Sequence, residues 1–426
     1  MRQIRFLFFT CMFCLFLPRL NAQEMLNLCG QVLDDESRTP LAFAAVSLTH
    51  SSLGTITNED GKFQLNIPLR YSNDSLLIAY LGYQTLKSPV CHIMGCSTLF
   101  CLKPKAIQLS EVEILGLTPG EVIRRAVQRI PENYGRDSLV LTTYIRVQKT
   151  ANNKLAEYAE AIVENFKDGY YTYPRSEMKE KFKRSNLPHL FKGRVISDTS
   201  LVNSLEDIGK EATCLSCNFK EDMVEFYHQG ILDEKEFKNY DFRMLEQFHP
   251  EDGKLYRITF DQKDHANISG WKGELLIQAA TYAILRIIMK PSLKAFNHYE
   301  KTKYNHTFSI LGTQGWVKEM PMGETRVTYA KKGGQWCLSS IHNDYWMVYS
   351  LPATGARFKA RYKNDVVVTE VSRDPEIIRN FKGDKTLGIG QRWDQISGKP
   401  DPEFWAGYNY LPVEEKLQQE LSTLNH

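Results

Sequence analysis

The second half of the chain carries the strongest folding constraint. From Lys254 onward, short stretches of alternating apolar and polar residues follow one another: 254–260, 273–278, 283–289, 305–310, 324–331, 335–341, 345–350, 357–362 and 366–371. In the first of them Leu255, Tyr256, Ile258 and Phe260 supply the apolar positions. A period of two sends successive side chains to opposite faces of a sheet, so each stretch reads as a strand with one buried and one solvated face. Lys332-Gly333-Gly334 is a hairpin turn between two of them. The spacing predicts one large antiparallel meander, with the interleaved Lys, Thr and Gln residues on its wet side.

Upstream, Thr118-Pro119-Gly120-Glu121 predicts a helix start. Threonine caps, proline suits the first turn and Glu121 completes a capping box. Val122, Ile123, Ala126, Val127 and Ile130 form the apolar face, and Pro131 is expected to stop the helix. Strand patterns at 138–149 and 155–163 can pair across Ala151-Asn152-Asn153. Periodicity is poor between 164 and 250. There Lys179, Lys181, Lys183, Arg184, Lys192 and Arg194 form a basic patch, expected to be a solvated loop. In the tail, Val413, Leu417, Leu421 and Leu424 share a helical stripe suited to packing on the sheet.

Residues 26–105 read differently, as about six or seven short strands broken by turns. Asp60-Gly61 marks one turn, and Phe63, Leu65 and Ile67 share a face of the strand after it. This density predicts a small antiparallel sandwich. The stretches CGQVLDDESRTPLAFAAVSL, GTITNEDGKFQLNIP and LLIAYLGYQT resemble the carboxypeptidase regulatory-like domain, a transthyretin-like sandwich of exported Bacteroidetes proteins. Gly30, Pro40-Leu41, Ala45-Val46, Gly54-Thr55, Asp60-Gly61, Phe63 and Gly82-Tyr83 carry that resemblance. It implies a folding or interaction appendage, not a peptidase. Leu109-Ser110-Glu111-Val112-Glu113-Ile114-Leu115-Gly116 resembles the stretch after this domain in TonB-dependent receptors, and is read here as an extended linker. LTPGEVIRRAVQRIPENY, YRITFDQ, GELLIQAATYAILRI and PEFWAGYNYL are similar to exported proteins in which such a sandwich precedes a domain of unknown function. The strand order also resembles the half-barrel of outer-membrane lipoprotein carriers.

The amino terminus places the chain outside the cytoplasm. Met-Arg-Gln-Ile-Arg precedes a 12-residue apolar run, Phe6 to Leu17, and a small residue at Ala22. This is a secretory signal peptide with cleavage expected between Ala22 and Gln23. The run is shorter than the ~20 residues a membrane span needs. Leu26-Asn27-Leu28 is too bulky to make Cys29 a lipidation site. The first 22 residues hold Arg2, Arg5 and Arg19 and no acid, so the formal charge of +3 falls to zero without them. That balance argues against a nucleic-acid partner and a polybasic membrane tether. Of the later cysteines, Cys91 with Cys96 or Cys101, and Cys214 with Cys217, could close small loops. Cys29 and Cys337 read at least as well as buried thiols.

No clustered chemistry emerges from the sequence. The histidines are scattered, with no HExxH. His249-Pro250-Glu251 and His298-Tyr299-Glu300 would need ligands from afar, and Gly388-Ile389-Gly390 reads as a turn. Cys214-Leu215-Ser216-Cys217 lacks the preceding strand and βαβ setting of a redox pair, so a local disulfide is the better reading. The sequence therefore predicts a mainly β protein of two bodies. Residues 1–22 are the signal peptide, 24–105 the sandwich and 106–117 a linker. Residues 118–426 form a larger α+β domain with a long, half-barrel-like antiparallel sheet and a few helices. No catalytic, cofactor or metal-binding residue is assigned. The expected role is non-enzymatic binding or assembly in the cell envelope, in the periplasm or at the outer membrane, with an unknown envelope protein or an apolar ligand as partner. A carrier or sensor of an apolar ligand is the alternative, marked by an exposed apolar concavity and opposed by a filled interior. A hydrolase with dispersed active-site residues is a third possibility.

Overall fold

A computed structural model describes residues 24–93, 98–105, 116–198, 201, 219–249, 253–264, 266, 270–296, 317–319, 321–384, 398 and 401–424. The signal-cleavage residues Ala22 and Gln23, the pair Cys214 and Cys217, and the strand expected at 305–310 lie outside these residues, as do His298, Glu300 and Gly388 to Gly390.

The amino-terminal body is a sandwich of β1 (Met25–Asp34), β2 (Ala45–Leu48), β3 (Gly54–Ile56), β4 (Lys62–Pro68), β5 (Ser75–Ala79), β6 (Leu86–Pro89) and β7 (Leu99–Leu102). One sheet runs β4-β1-β7 and the other β3-β2-β5-β6. All pairs are antiparallel except β1 with β7, which are parallel. Phe63, Leu65 and Ile67 face inward together with Val32, Leu76 and Ile78, all buried. Gly61 has φ +72°, and a Cβ there would lie 2.5 Å from the Val32 carbonyl oxygen, so this turn requires glycine.

The larger body opens with α1 (Pro119–Gln128), capped by Thr118 and Glu121 in the expected reciprocal box. Pro131 does not end α1. It sits in the first turn of a second short helix, α2 (Ile130–Tyr134), where proline is well tolerated. There follow β8 (Leu139–Ala151), β9 (Lys154–Lys167), α3 (Met178–Ser185), β10 (Leu187–Ser197), β11 (Tyr240–His249), β12 (Gly253–Gln262), β13 (Trp271–Gln278) and β14 (Ile284–Pro291). Next come β15 (Val317–Lys318), β16 (Met322–Lys332), β17 (Gln335–Leu351), β18 (Ala356–Ser372), α4 (Pro375–Asn380), α5 (Pro402–Ala406) and α6 (Glu415–Leu424). Ten strands form one antiparallel sheet in the order β10-β9-β8-β18-β17-β16-β14-β13-β12-β11, with β15 paired to β17 off this path. Strands β10 and β11 are its two edges, so the sheet does not close into a barrel.

Three expectations are corrected. The stretches at 335–341 and 345–350 are one 17-residue strand, β17, and those at 357–362 and 366–371 are one strand, β18. The polar run between them is not a turn: His342 with Asp365 and Asp344 with Lys363 are charged cross-strand positions on the outer face, and Asn343 stands opposite Asn364 on the other face. The basic patch is not a solvated loop. It forms α3 and β10, and Lys181 is fully buried. Among the cysteines, Cys29 is disulfide-bonded and so is not a thiol. Cys91 and Cys101 are free, which removes the pairing of Cys91 with either Cys96 or Cys101. Cys337 is free and buried, as expected.

The two faces of the sheet differ. Its inner face is apolar and filled: Val122, Ile123 and Ala126 of α1, Ile130 and Tyr134 of α2, and Phe219, Val224 and Ile231 pack against Ile258, Leu275, Ile287, Val327 and Ile145. The outer face at the β8–β10 end is covered by the sandwich and by the tail around α5 and α6. Ile56 of the sandwich, Tyr144, Ile162 and Val367 of the sheet, and Trp405 and Leu411 of the tail share one buried cluster. Leu417, on α6, packs on Leu155 and Tyr158 as the tail stripe predicts.

Candidate functional site

The outer face carries a row of mostly charged residues that crosses the whole sheet. Strand register places Arg243 opposite Thr259, Thr259 opposite Glu274, Glu274 opposite Ile288, and Ile288 opposite Arg326. The row continues through His342, Asp365, Arg146 and Glu160 to Arg194 on the far edge strand. Strand pairing thus assembles one row from positions 146 to 365.

The half from His342 to Arg194 lies under the sandwich and tail. Arg146 is 1% exposed. Its Nε and Nη2 donate to Asp365 Oδ2 at 3.1 and 2.9 Å, and its Nη1 and Nη2 donate to Glu414 of the tail at 3.0 and 2.7 Å. His342 Nδ1 meets the other Asp365 oxygen at 2.6 Å. Burial alone would raise the Asp365 pKa, but the Arg146 guanidinium and His342 hold it well below the usual carboxylate range. Glu160 accepts from Tyr144 and Arg194. The tail supplies acids and aromatics to these bases. The Arg194 guanidinium lies 4.2 Å from the Trp405 ring centroid, and Lys192 donates to Asp401 at 2.5 Å. Toward the sandwich, Lys62 donates to Glu415 at 2.6 Å, Asn66 and Asn409 exchange amide hydrogen bonds, and Lys363 pairs with Glu59 at 2.7 Å. Each buried charge on this half has an opposite charge against it, the condition under which a charged surface can be desolvated.

The half from Arg243 to Arg326 is open and lines a cleft of about 630 Å³ over β11–β14 and β16. Arg243, Lys272, Lys290, Lys294 and Arg326 face Asp241, Asp261, Glu274 and Glu324 across it, with Thr259 and Ile288 on its floor. Lys290 and Arg326 pair with Glu324 at 2.9 and 2.8 Å, and Glu274 is held by Arg257 and Arg286 from the adjoining row of the same face. Arg243 and Lys272 have no ion-pair partner among the described residues. Phe43 of the sandwich marks the boundary between the halves, with its ring 4.5 Å from that of His342 and beneath the Arg326 guanidinium at 5.3 Å.

A second ionisable cluster lies within the inner side. Lys167 donates to Asp222 at 2.8 Å and to Glu225 at 2.5 Å, Tyr170 and Tyr329 donate to Asp222 at 2.8 and 3.0 Å, and Lys181 donates to the Gly169 carbonyl at 2.5 Å. Burial pushes the Glu225 carboxyl up to about 7, with Lys167 opposing and Asp222 adding to the shift. A shifted acid near neutrality is a property of catalytic sites. Here, though, Lys167, Asp222, Glu225 and Lys181 are all buried and satisfy one another, so the cluster acts as a polar plug joining α3 and residues 219–227 to the end of β9.

Of the residues the sequence singled out, Cys214, Cys217, Ala22 and Gln23 lie outside the described set. No group of three metal-ligating side chains occurs among the described residues, and no described helix is long and apolar enough to cross a membrane. Sequence reading missed Arg146, Asp365, Glu414, Arg243 and Lys272, because their significance depends on which strands lie side by side.

Residues 28–114 match the model of the CarboxypepD_reg-like domain, the family that the amino-terminal motifs resemble. No curated protein matches the chain. Among solved structures, a DUF1329 family protein from Desulfovibrio piger is 11% identical, over 61% of this chain and 95% of its own, with a TM-score of 0.25. A LolA superfamily protein from Nitrosomonas europaea is 12% identical, over 62% and 98%, with a TM-score of 0.22. A protein of unknown function from Bacteroides fragilis is 9% identical, over 81% and 97%, with a TM-score of 0.15. Scores this low do not establish a shared fold.

Proposed function

We propose that the chain is a non-enzymatic, exported cell-envelope protein, working in the periplasm or at the outer membrane, that binds a partner through the outer face of its large sheet. One observation carries this reading: the row of charges is closed by the chain's own sandwich and tail over one half and left open as a cleft over the other. The described lining of the cleft is five bases, four acids, Thr259 and apolar or glycine residues, a charged surface suited to recognising a charged partner. The disulfide at Cys29 supports an oxidising compartment and hence export. The sandwich, fastened to sheet and tail by Lys62, Asn66 and Glu59, acts in this reading as a fixed part of the binding body. The interior that a carrier of apolar ligands would keep open is occupied by α1, α2 and residues 219–232.

Affinity capture of the full chain from envelope fractions, with bound protein and lipid identified by mass spectrometry, tests the proposal. A stoichiometric protein partner supports it. Co-purified acyl lipid without protein would favour the carrier, and turnover of a substrate by the purified chain would overturn the non-enzymatic reading.

A further inference from the structure

Building on that binding reading, we infer that the open half of the charged row is a docking site for an acidic, aromatic-containing peptide segment of a partner protein, with Arg243 and Lys272 as its anchoring cations. Lys272 stands between Asp261 on one neighbouring strand and Lys290 on the other, so it faces one opposite and one like charge. Lys290 pairs with Glu324, while Lys272 and Arg243 make no ion pair among the described residues. Asp241 and Asp261 form a second like-charge pair at the edge-strand rim, where Lys294 approaches Asp261 at 3.8 Å. With Arg257 and Arg286 neutralising Glu274 from outside the lining, the balance at the cleft floor is positive.

The covered half shows what this face accepts. There the face is met by the tail, whose short helix α5, its Asp401 cap and the residues leading into α6 set carboxylates on Lys192 and Arg146 and aromatic rings beside Lys192 and Arg194. Glu414 lies on Arg146, Asp401 on Lys192, Trp405 against Arg194, and Phe404 5.5 Å from Lys192. The open half presents Arg243 and Arg326 in the same row and Lys272 in the row beside it, in a cleft of about 630 Å³. That volume falls in the range of ligand sites, roughly 300–1,000 Å³, and is suited to a few side chains. Charge complementarity and the tail's own mode of binding therefore select an acidic peptide over a neutral or basic one.

The test uses the full mature chain and a fluorescent peptide with the sequence of residues 401–415, which carries four acids and no base. Anisotropy should report saturable binding at 0.1 M salt that weakens about tenfold or more by 0.5 M. The doubly reversed variant R243E/K272E should bind about tenfold or more weakly, whereas reversal of exposed Lys87 on the sandwich should leave binding unchanged. A peptide with its four acids replaced by glutamine should not bind. Equal affinity of wild type and R243E/K272E would overturn the inference, because the peptide would then be seated elsewhere, including in place of the native tail. Binding to phosphatidylglycerol vesicles that R243E/K272E abolishes, without peptide binding, would also overturn it in favour of a lipid surface. If a partner captured from envelope fractions is retained equally by R243E/K272E, the docking inference fails while the wider binding reading stands.

Discussion

Replacing Arg146 by methionine tests the account of the buried half of the row. The substitution keeps an unbranched side chain of similar reach and removes the guanidinium that donates twice to Asp365 and twice to Glu414. Two carboxylates are then left buried against each other, with His342 the nearest cationic candidate. Breaking a buried pair by removing one partner costs about 3–5 kcal/mol, since the survivor keeps its desolvation penalty and loses its compensation. Against total stabilities of about 5–15 kcal/mol, that is a large loss. The expected result is R146M destabilised by about 4 kcal/mol at pH 7.5 in urea titrations followed by tryptophan fluorescence. Trp405, one of six tryptophans, sits at the same junction and contributes to that signal.

Two further measurements separate charge from packing. In R146M/D365N/E414Q no buried acid remains unpaired, and stability should return to within about 1–2 kcal/mol of wild type. The pH dependence has a fixed sign. The folded pKa of Asp365 lies below its unfolded value, so in wild type it contributes stability that is present above about pH 4 and lost as the pH falls toward the folded value. In R146M that contribution is absent and a buried carboxylate gains by protonation, so the gap between R146M and wild type should narrow as pH drops from 7.5 to 4. A cost below about 1 kcal/mol at pH 7.5, or a triple variant no better than R146M, would refute the reasoning.

The remaining predictions concern other parts of the chain. Glu225 titrates near 7 when folded, above its unfolded value, so it favours folding at pH 5 and loses that contribution as pH climbs through 7. Urea titrations at pH 5 and 8 should therefore show E225Q gaining on wild type as pH rises. Thr118→Ala removes the hydroxyl that accepts from the Glu121 amide, and should cost about 1 kcal/mol in the same titration at neutral pH. Maleimide should label exposed Cys91 in the native protein but reach buried Cys337 only after unfolding, and peptide mapping should find Cys29 unlabelled without reductant.

The fold was largely legible in the sequence, and the site was not. Alternation is a local signal, so the strands from 254 onward, the hairpin at Gly333-Gly334 and the capped helix at Thr118 could be found one residue window at a time. The reading failed where a strand's solvent face is charged and covered by another domain. At His342-Asn343-Asp344 and Lys363-Asn364-Asp365 the polar run resembled a break, and two long strands became four short ones. The same limitation turned Lys181 into a surface residue and hid the ion pair of the partly exposed Arg194. Their partners, Gly169 and Glu160, lie 12 and 34 positions away in the chain, and only strand pairing and the return of α3 across the end of β9 bring them together. A row whose members come from ten strands has no periodic signature in the sequence.

Why a domain should be seated on a charged face rather than an apolar one follows from what each kind of contact specifies. An apolar patch is indifferent to small rotations, whereas paired charges and amides have one register. Lys62 with Glu415, Asn66 with Asn409, Lys363 with Glu59 and Arg146 with Glu414 fasten three segments at four separate points. The desolvation they require is offset by pairing and by the apolar cluster of Ile56, Tyr144, Val367 and Trp405 between them. If orientation is what the charges supply, the neutralised triple variant should separate the two properties. It should recover most of the stability of wild type yet hold the tail less tightly, seen as faster proteolysis within 401–424. A triple variant as stable and as protease-resistant as wild type would mean that the Arg146 cluster is not needed to hold the tail in place.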